Sequence, residues 1–172
     1  MGKIKKPLSV KLVSGFIFHN HDCFLKAKNV LKKKFGEIDF ESPLLPFTHT
    51  DYYQKEFGSD LTRSFLSFRR LIKPENLPEI KIYTNKIEAR LSKAGKRQIN
   101  IDPGYLTLAK LVLATTKDYK HRIYLNQGIW AEVTLFYQNG TFAAWSWTYP
   151  DYQTETYLQI FNQIRKIYAR QI

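Results

Sequence analysis

The sequence predicts an α+β fold: a mixed or antiparallel sheet with a ferredoxin-like βαβ start, a C-terminal β-meander and a C-terminal helix. Three observations support this prediction. Strand-like and helix-like segments mix in the first part of the chain without a regular βαβ repeat. From residue 121 onward, short strand-like runs are separated by turn sequences. Residues 154–172 then carry apolar side chains at helical spacing.

The composition is that of a folded protein. The 172 residues suit one domain with a single core, and 44% hydrophobic with 24% charged residues excludes an intrinsically disordered chain. No apolar run approaches the roughly 18 residues that span a bilayer, so we expect no membrane partner. The N-terminus lacks the apolar stretch of a secretory signal. The single cysteine, Cys23, excludes an internal disulfide framework, so we expect a cytoplasmic protein.

The net charge of +12 is concentrated near the N-terminus. Residues 1–34 hold nine lysines and one acidic residue, whereas the rest of the chain holds 18 basic and 14 acidic residues. A basic region attracts phosphate backbones, which makes nucleic acid one candidate partner. The alternative is a basic, mobile tail over residues 1–8, followed by lysines that favour the C-terminal end of a helix.

Strands and helices are predicted in order along the first part of the chain. Residues 10–18 (VKLVSGFIF) are rich in β-branched and aromatic side chains, which favours a buried strand. A helix capped near Asp22 follows and ends at Gly36. Residues 38–47 are extended and interrupted by prolines, and residues 48–60 form a polar, aromatic loop.

The middle of the chain is less clearly patterned. Residues 64–72 predict a strand, and an amphipathic helix follows behind a cap at Asn76. Residues 98–101 predict a short strand. Residues 106–115 fit two interpretations, because Asp102-Pro103 is a good helix start whereas the sequence VLATT favours a strand.

Two turns set the register of the C-terminal strands. Asn139-Gly140 predicts a two-residue hairpin turn, which places Glu132 opposite Trp147 and pairs residues whose numbers sum to 279. A three-residue turn at 126–128 likewise pairs Arg122 with Glu132. One face then carries Arg122, Tyr124, Trp130, Glu132, Thr134, Phe136, Trp145, Trp147 and Tyr149. The aliphatic face, which we expect to pack on helices, carries Ile129, Ala131, Val133, Leu135, Phe142 and Ala144.

The aromatic face has two interpretations. An Arg–Glu pair beside tryptophans is typical of a site for an anionic ligand with a stackable ring, such as a nucleotide. Cross-strand ion pairs and aromatic pairs also stabilise ordinary sheets, and a covering helix would close the face entirely.

Known nucleotide motifs are incomplete. Gly95-Lys96 lacks both the hydroxyl residue and the first glycine of a P-loop, and no Gly-x-Gly-x-x-Gly occurs. Thr116-Lys117-Asp118 has the letters of a guanine-reading motif without its spacer, and a charged turn is the simpler interpretation. A P-loop GTPase is therefore excluded, but a nucleotide site of another design is not.

Residues 19–23 (HNHDC) combine side chains that bind zinc, but structural zinc sites usually draw on two separated pairs. A capped helix start explains this segment, so we predict no metal site.

Several polar blocks carry a family resemblance: residues 50–53 (TDYY) with Glu56, 100–106 (NIDPGYL), 114–125 (ATTKDYKHRIYL), Glu132 and 148–152 (TYPDY). With these blocks in order, the chain from Lys11 to Tyr168 resembles a prokaryotic domain-of-unknown-function family, number 4416. Some members carry an automatic GTP-binding label to which no reaction is attached. The resemblance implies a shared polar site, because the blocks hold more polar residues than a fold requires.

We therefore expect a protein that binds a phosphorylated or nucleotide-like ligand. The ligand-binding candidates are Asp51, Tyr52, Tyr53, Glu56, Lys117, His121, Arg122, Glu132, Trp147, Tyr149, Asp151 and Tyr152. Among them, Lys117, His121 and Arg122 supply positive charge, and Trp147, Tyr149 and Tyr152 supply stacking rings. Two alternatives stay open: a nucleic-acid-associated protein that uses the basic N-terminal region, and an enzyme acting on a phosphate ester with Asp102, Glu132 or His121 as acid or base. The sequence identifies no cofactor.

Overall fold

A computed structural model describes residues 2–48 and 60–172 of the chain. Within these ranges the chain forms an antiparallel sheet of nine strands with three α-helices, which confirms the predicted α+β class. None of the helices in these ranges is long and apolar enough to cross a membrane.

The first part of the chain is a ferredoxin-like unit, as predicted. Its elements are β1 (Lys11–Phe18), α1 (His21–Phe35), β2 (Ile38–Glu41), β3 (Leu45–Pro46), β4 (Thr62–Phe68), α2 (Leu77–Leu91) and β5 (Ile99–Leu106). The strand order is β2-β4-β1-β5, and neighbouring strands are antiparallel. The short β3 pairs with the beginning of β4.

The second part extends this sheet with a β-meander and adds the C-terminal helix. Its elements are β6 (Lys110–Thr115), β7 (Ile123–Asn126), β8 (Ile129–Gln138), β9 (Thr141–Ala144) and α3 (Glu155–Ala169). β6 follows β5 in the sheet, and β8 follows β6. Residues 106–115 are thus the end of one strand, a turn and a second strand, which rules out the helical interpretation. β7 and β9 pair with opposite ends of β8.

Helices cover both faces of the sheet. On one face, apolar side chains from β1, α1 and α2 form one cluster that includes Leu12, Phe16, Phe24, Leu31, Ile80 and Ile87. On the other face, α3 packs in a second cluster that includes Val13, Phe65, Leu106, Leu135, Phe161 and Ile164. Each such fully buried side chain contributes on the order of 2 kcal/mol of hydrophobic stabilisation.

The helix boundaries agree with those predicted from the sequence except at two N-terminal caps. Asn20 rather than Asp22 caps α1, because its side-chain oxygen accepts the N–H groups of Asp22 and Cys23 at 2.8 and 3.3 Å. Gly36 ends this helix with a φ of +95°, a conformation that favours glycine. Asn76 precedes α2 but makes no capping hydrogen bond with its side chain.

The lysines near the N-terminus have separate structural roles. Lys32, Lys33 and Lys34 lie in the last turn of α1, where positive charge is favourable to the helix dipole. Lys11 is buried and ion-paired with Asp39, and burial lowers the pKa of this lysine. Residues 2–9 are exposed and outside regular secondary structure.

The Asn139-Gly140 hairpin has the predicted register, but β9 is shorter than predicted. Both turn residues have positive φ, +50° and +84°, and the pairs Leu135–Ala144 and Gln138–Thr141 both sum to 279. The chain leaves the sheet after Ala144. The predicted pairing of Glu132 with Trp147 is therefore wrong, because β9 does not extend that far.

The second hairpin reaches the predicted register by a different turn. Gln127-Gly128 forms a two-residue turn with positive φ at both positions, and an irregularity at Leu125 restores the predicted pair Ile123–Ala131. The predicted three-residue turn is wrong, but the irregularity at Leu125 compensates for the shorter turn. Arg122 therefore still lies beside Glu132.

A bulge divides the predicted aliphatic face. Leu111 pairs with Leu135 and Val112 pairs with Val133, so Thr134 is an extra residue in β8. Beyond this bulge the side chains change sides. As a result, Ile129, Ala131 and Val133 pack beside α2, whereas Leu135, Phe142 and Ala144 pack beside α3. The prediction that these residues pack on helices is confirmed, but they lie on two faces of the sheet and not on one.

Candidate functional site

The sheet opens between β5 and β6. The two strands pair only near their connecting turn, from Leu106–Leu111 to Gly104–Leu113. Gly104 permits this last close pair, because a Cβ at that position would lie 2.3 Å from the carbonyl oxygen of Val112. Pro103 comes just before it and has no N–H to donate to a neighbouring strand. Beyond this point β5 stays with β1, whereas β6 stays with β8.

Side chains of α2 bind the strand edge that β6 leaves. The N–H of Ile101 donates to Oε1 of Glu88 at 2.7 Å, and its carbonyl oxygen accepts from Nζ of Lys81 at 3.0 Å. Both side chains are buried. They satisfy the two backbone groups that a paired strand would otherwise bind, since unsatisfied buried backbone groups are costly.

The opening between β5 and β6 forms a cavity of about 700 Å³. This volume is within the range of small-molecule sites, about 300–1,000 Å³. The cationic residues that line it are Arg63, Lys81, Arg97, Lys117 and Arg122, and the acidic ones are Glu88, Asp102, Glu132 and Asp151. The wall is thus rich in charge of both signs, unlike the two hydrophobic clusters beside it.

Arg63 on β4 lies at the buried end of this cavity. Its Nη2 donates to Oδ2 of Asp151 at 2.5 Å, and its Nε donates to the hydroxyl of Tyr157 at 3.3 Å. Four rings surround the guanidinium at 5.1–5.6 Å: Phe47, Phe65, Tyr152 and Tyr157. Cation–π contact and the ion pair hold this arginine in one position.

Asp102 joins the two walls of the cavity. Its Oδ2 accepts from Asn100 at 2.6 Å, and its Oδ1 lies 3.5 Å from Nζ of Lys81. Nη1 of Arg63 lies 3.9 Å from Oδ2, close enough for an ion pair but too far for a hydrogen bond. The side chain is 28% exposed, so a ligand in the cavity can reach it.

Two buried polar groups of the cavity wall have unused hydrogen-bonding capacity. Within residues 2–48 and 60–172, neither Nη1 of Arg63 nor the hydroxyl of Tyr152 has a hydrogen-bond partner. The two residues are only 2% and 3% exposed. Buried polar groups are nearly always satisfied, so two such groups in one cavity wall are unusual.

Glu132 binds two basic side chains at the outer wall. Its Oε2 accepts from Nε of Arg122 at 3.0 Å and lies 3.0 Å from Nε2 of His121. The predicted contact between Arg122 and Glu132 is therefore confirmed. Nη2 of Arg122 also donates to the hydroxyl of Tyr149 at 3.2 Å, which fixes this exposed ring at the cavity wall.

Trp147 packs in a column of rings beside this pair. It stacks on His121 at 5.6 Å and on Trp145 at 5.1 Å, with interplanar angles of 15° and 8°. These contacts place Trp147 against His121, although the tryptophan side chain is still 39% exposed. Tyr152 is enclosed, since its ring stacks on Phe161.

The cavity brings together most of the residues that the sequence singled out. Those that line it are Asp102, Lys117, Arg122, Glu132, Tyr149, Asp151 and Tyr152. His121 and Trp147 are not among the lining residues, but His121 contacts Glu132 and Trp147 stacks on His121. The candidates Asp51, Tyr52, Tyr53 and Glu56 lie outside the described residues.

The sequence prediction missed the inner wall: Arg63, Lys81, Glu88, Arg97 and Asn100. One signal was present, because Lys81 and Glu88 are seven residues apart and so lie on the same side of a helix, next to its apolar stripe. Nothing in the sequence around Arg63 distinguishes it from an arginine at a sheet surface.

Glu88 should make stability depend on pH. Burial raises the pKa of its carboxyl above the ordinary value of 4.5, although Lys81 and the N–H of Ile101 partly oppose this shift. A raised pKa favours the folded state at low pH, and this contribution is lost as pH rises through the folded-state pKa. The free energy of unfolding of the wild type minus that of Glu88→Gln should therefore fall as pH rises above 4.5 in urea titrations. A difference that rises over this range would contradict the assignment.

The Arg122–Glu132 pair should be strongly coupled. Glu132→Leu should lower the free energy of unfolding by about 2 kcal/mol, because it leaves a partly buried guanidinium without its carboxylate. Adding Arg122→Met should recover part of this loss, with a coupling energy of about 1–3 kcal/mol. Urea denaturation of the wild type, Glu132→Leu, Arg122→Met and the double variant measures this coupling energy.

The exposed pair Arg69–Glu37 provides the control. It is 3.2 Å long, but its side chains are 67% and 60% exposed. The same cycle should give less than about 1 kcal/mol there, because solvent screens the interaction. Equal coupling energies at the two pairs would show that burial does not strengthen the Arg122–Glu132 pair.

No curated protein and no solved structure matches this chain significantly. The model of the domain of unknown function DUF4416 matches residues 8–168, nearly the whole chain. The resemblance carried by the polar blocks is thereby confirmed, and the protein belongs to the DUF4416 family.

Proposed function

We propose that the protein binds a small phosphorylated or nucleotide-like ligand in the cavity between β5 and β6. One observation carries this proposal: the cavity has the volume of a small-molecule site, and charged side chains of both signs converge on it. Convergent polar groups in a cavity of this size are typical of a binding site.

The phosphate end is assigned to the outer part of the cavity. Thr115, Thr116 and Lys117 line it where β6 ends, next to Arg122. Lysine ammonium groups and threonine hydroxyls both donate hydrogen bonds to phosphate oxygens. A site of this design needs no P-loop, since side chains supply the donors that a P-loop takes from its backbone.

The buried end of the cavity, where Arg63 lies, is less suited to phosphate. Arg63 is already ion-paired with Asp151, and Asp102 lies next to it, so a phosphate dianion there would be repelled by two carboxylates. The exposed ring of Tyr149, held by Arg122, offers a surface for a base or sugar between the two ends. The ligand would therefore bind with its phosphate outward.

The proposal is tested by two lysines of the same turn. Lys117 lines the cavity, whereas Lys120, three residues later, does not. In isothermal titration with nucleoside monophosphates, Lys117→Ala should weaken binding about tenfold, because one charged hydrogen bond to phosphate is lost. Lys120→Ala should leave the affinity within about twofold of the wild type.

Two outcomes would overturn the proposal. One is no heat of binding with any nucleoside mono-, di- or triphosphate, together with unchanged melting temperatures. The other is an equal loss of affinity in both lysine variants with a steep dependence on salt, the behaviour of diffuse electrostatic attraction to a polyanion.

A further inference from the structure

Positive charge is distributed unequally between the two faces of the sheet. The helices on one face, α1 and α2, hold eight basic and three acidic residues, a net charge of +5. The helix on the other face, α3, holds two basic residues and one acidic residue, a net charge of +1. The surface formed by α1 and α2 is therefore the more strongly basic side of the molecule.

Contacts at the C-terminal end of α1 join its lysines to α2. Nζ of Lys34 lies 5.5 Å from the centre of the Tyr83 ring on α2. Nη2 of Arg70, in the loop after β4, donates to the carbonyl oxygen of Lys34 at 2.6 Å. Lys86 and Arg90 follow Tyr83 by three and seven residues, so they lie on the same side of α2. The surface defined by these contacts, which we call the basic face, consists of Lys33, Lys34, Arg70, Lys86 and Arg90.

The five cations of the basic face are available to a partner. All of them are exposed. Within residues 2–48 and 60–172 none of them forms an ion pair, unlike Arg63 of the cavity wall. Of the acidic residues beside this face, Glu37 is already paired with Arg69, and Glu79 lies one turn before Tyr83. The unpaired cations outnumber these acids, so the face keeps a positive potential.

The basic face suits a nucleic acid better than a protein or a membrane. Among the described residues, Leu25 is the one exposed large apolar side chain of α1 and α2, at 40%. A protein interface has an apolar core, and a helix that binds a membrane surface carries an apolar stripe. Interfaces with nucleic acids are instead polar and strongly positive. The side chains of this face are therefore those that bind a phosphate backbone.

The basic face favours a duplex over a single strand. Proteins that bind single strands stack the bases on aromatic side chains. The ring beside this face, Tyr83, contacts Phe35 edge-on at 5.9 Å and lies under the ammonium group of Lys34, which leaves it only partly exposed. A duplex needs no stacking ring, because cations bind the phosphates on its outside.

We propose that the basic face binds the phosphate backbone of a nucleic-acid duplex without reading its sequence. The inference goes beyond the proposed function, since Lys86 and Arg90 do not line the cavity. Each lysine or arginine that contacts a phosphate releases counterions from the duplex, so the affinity falls as salt rises. Contacts of this kind position a protein on a duplex but carry no sequence information.

Two matched double variants test this inference. Lys86→Gln with Arg90→Gln changes the basic face, and Lys166→Gln with Arg170→Gln changes the end of α3. Each pair is an exposed lysine and an exposed arginine four residues apart, so the net charge changes equally and both variants should fold as the wild type.

Binding is measured by fluorescence anisotropy of the full chain with labelled RNA and DNA duplexes of several sequences, each about 20 base pairs long, at increasing salt. The Lys86/Arg90 variant should bind at least about tenfold more weakly than the wild type at about 0.1 M salt. Its slope of log affinity against log salt should be smaller by about two. The Lys166/Arg170 variant should bind within about twofold of the wild type, because those residues lie outside the basic face.

Four results would overturn the inference. The first is no binding of either duplex at about 0.05 M salt. The second is an equal loss of affinity in the two double variants, which would assign binding to net charge and not to this face. The third is tighter binding of a single strand than of the duplex with the same sequence. The fourth is tighter binding to vesicles of phosphatidylserine and phosphatidylcholine than to either duplex, which would assign the face to anionic membranes.

Discussion

The opening between β5 and β6 depends on how the backbone N–H and carbonyl oxygen of Ile101 are hydrogen-bonded. On one side β5 pairs with β1 along its whole length, but on the other side β6 has already turned away. Glu88 and Lys81 of α2 bind the N–H and carbonyl that face the gap. Without these two hydrogen bonds, β6 would have to pair with β5 along its full length or leave buried backbone groups unsatisfied, and the cavity would close.

This arrangement requires charged groups in the interior of the protein. Glu88 and Lys81 bring opposite charges to the strand edge, and Arg63 is neutralised by Asp151 on the other wall. Buried ion pairs contribute little to stability on balance, because desolvation offsets their attraction. Their concentration around one opening is the basis of the proposed ligand site.

The sequence predicted those parts of the site that depend on local rules. The contact between Arg122 and Glu132 was predicted from turn geometry, and it is correct only because an irregularity at Leu125 offsets the error in turn length. The exit of the chain after Ala144 was not predictable in this way, because it depends on Thr148, whose hydroxyl binds the carbonyl of Thr134 in the middle of β8. The inner wall was missed for a similar reason. Whether Arg63 faces a cavity or a core depends on where β6 and α3 lie, and no local pattern in the sequence records that.

Hydrogen exchange at the Ile101 amide tests the central claim most directly. In the wild type this amide should exchange as slowly as that of Asp102, which points toward β1 by the alternation of a strand. In Glu88→Ala the Ile101 amide should exchange at least about tenfold faster, while the Asp102 amide is unchanged, because only the bond to Glu88 is lost. An Ile101 amide that exchanges rapidly in the wild type, or one that stays protected in Glu88→Ala, would contradict this account of the opening between β5 and β6.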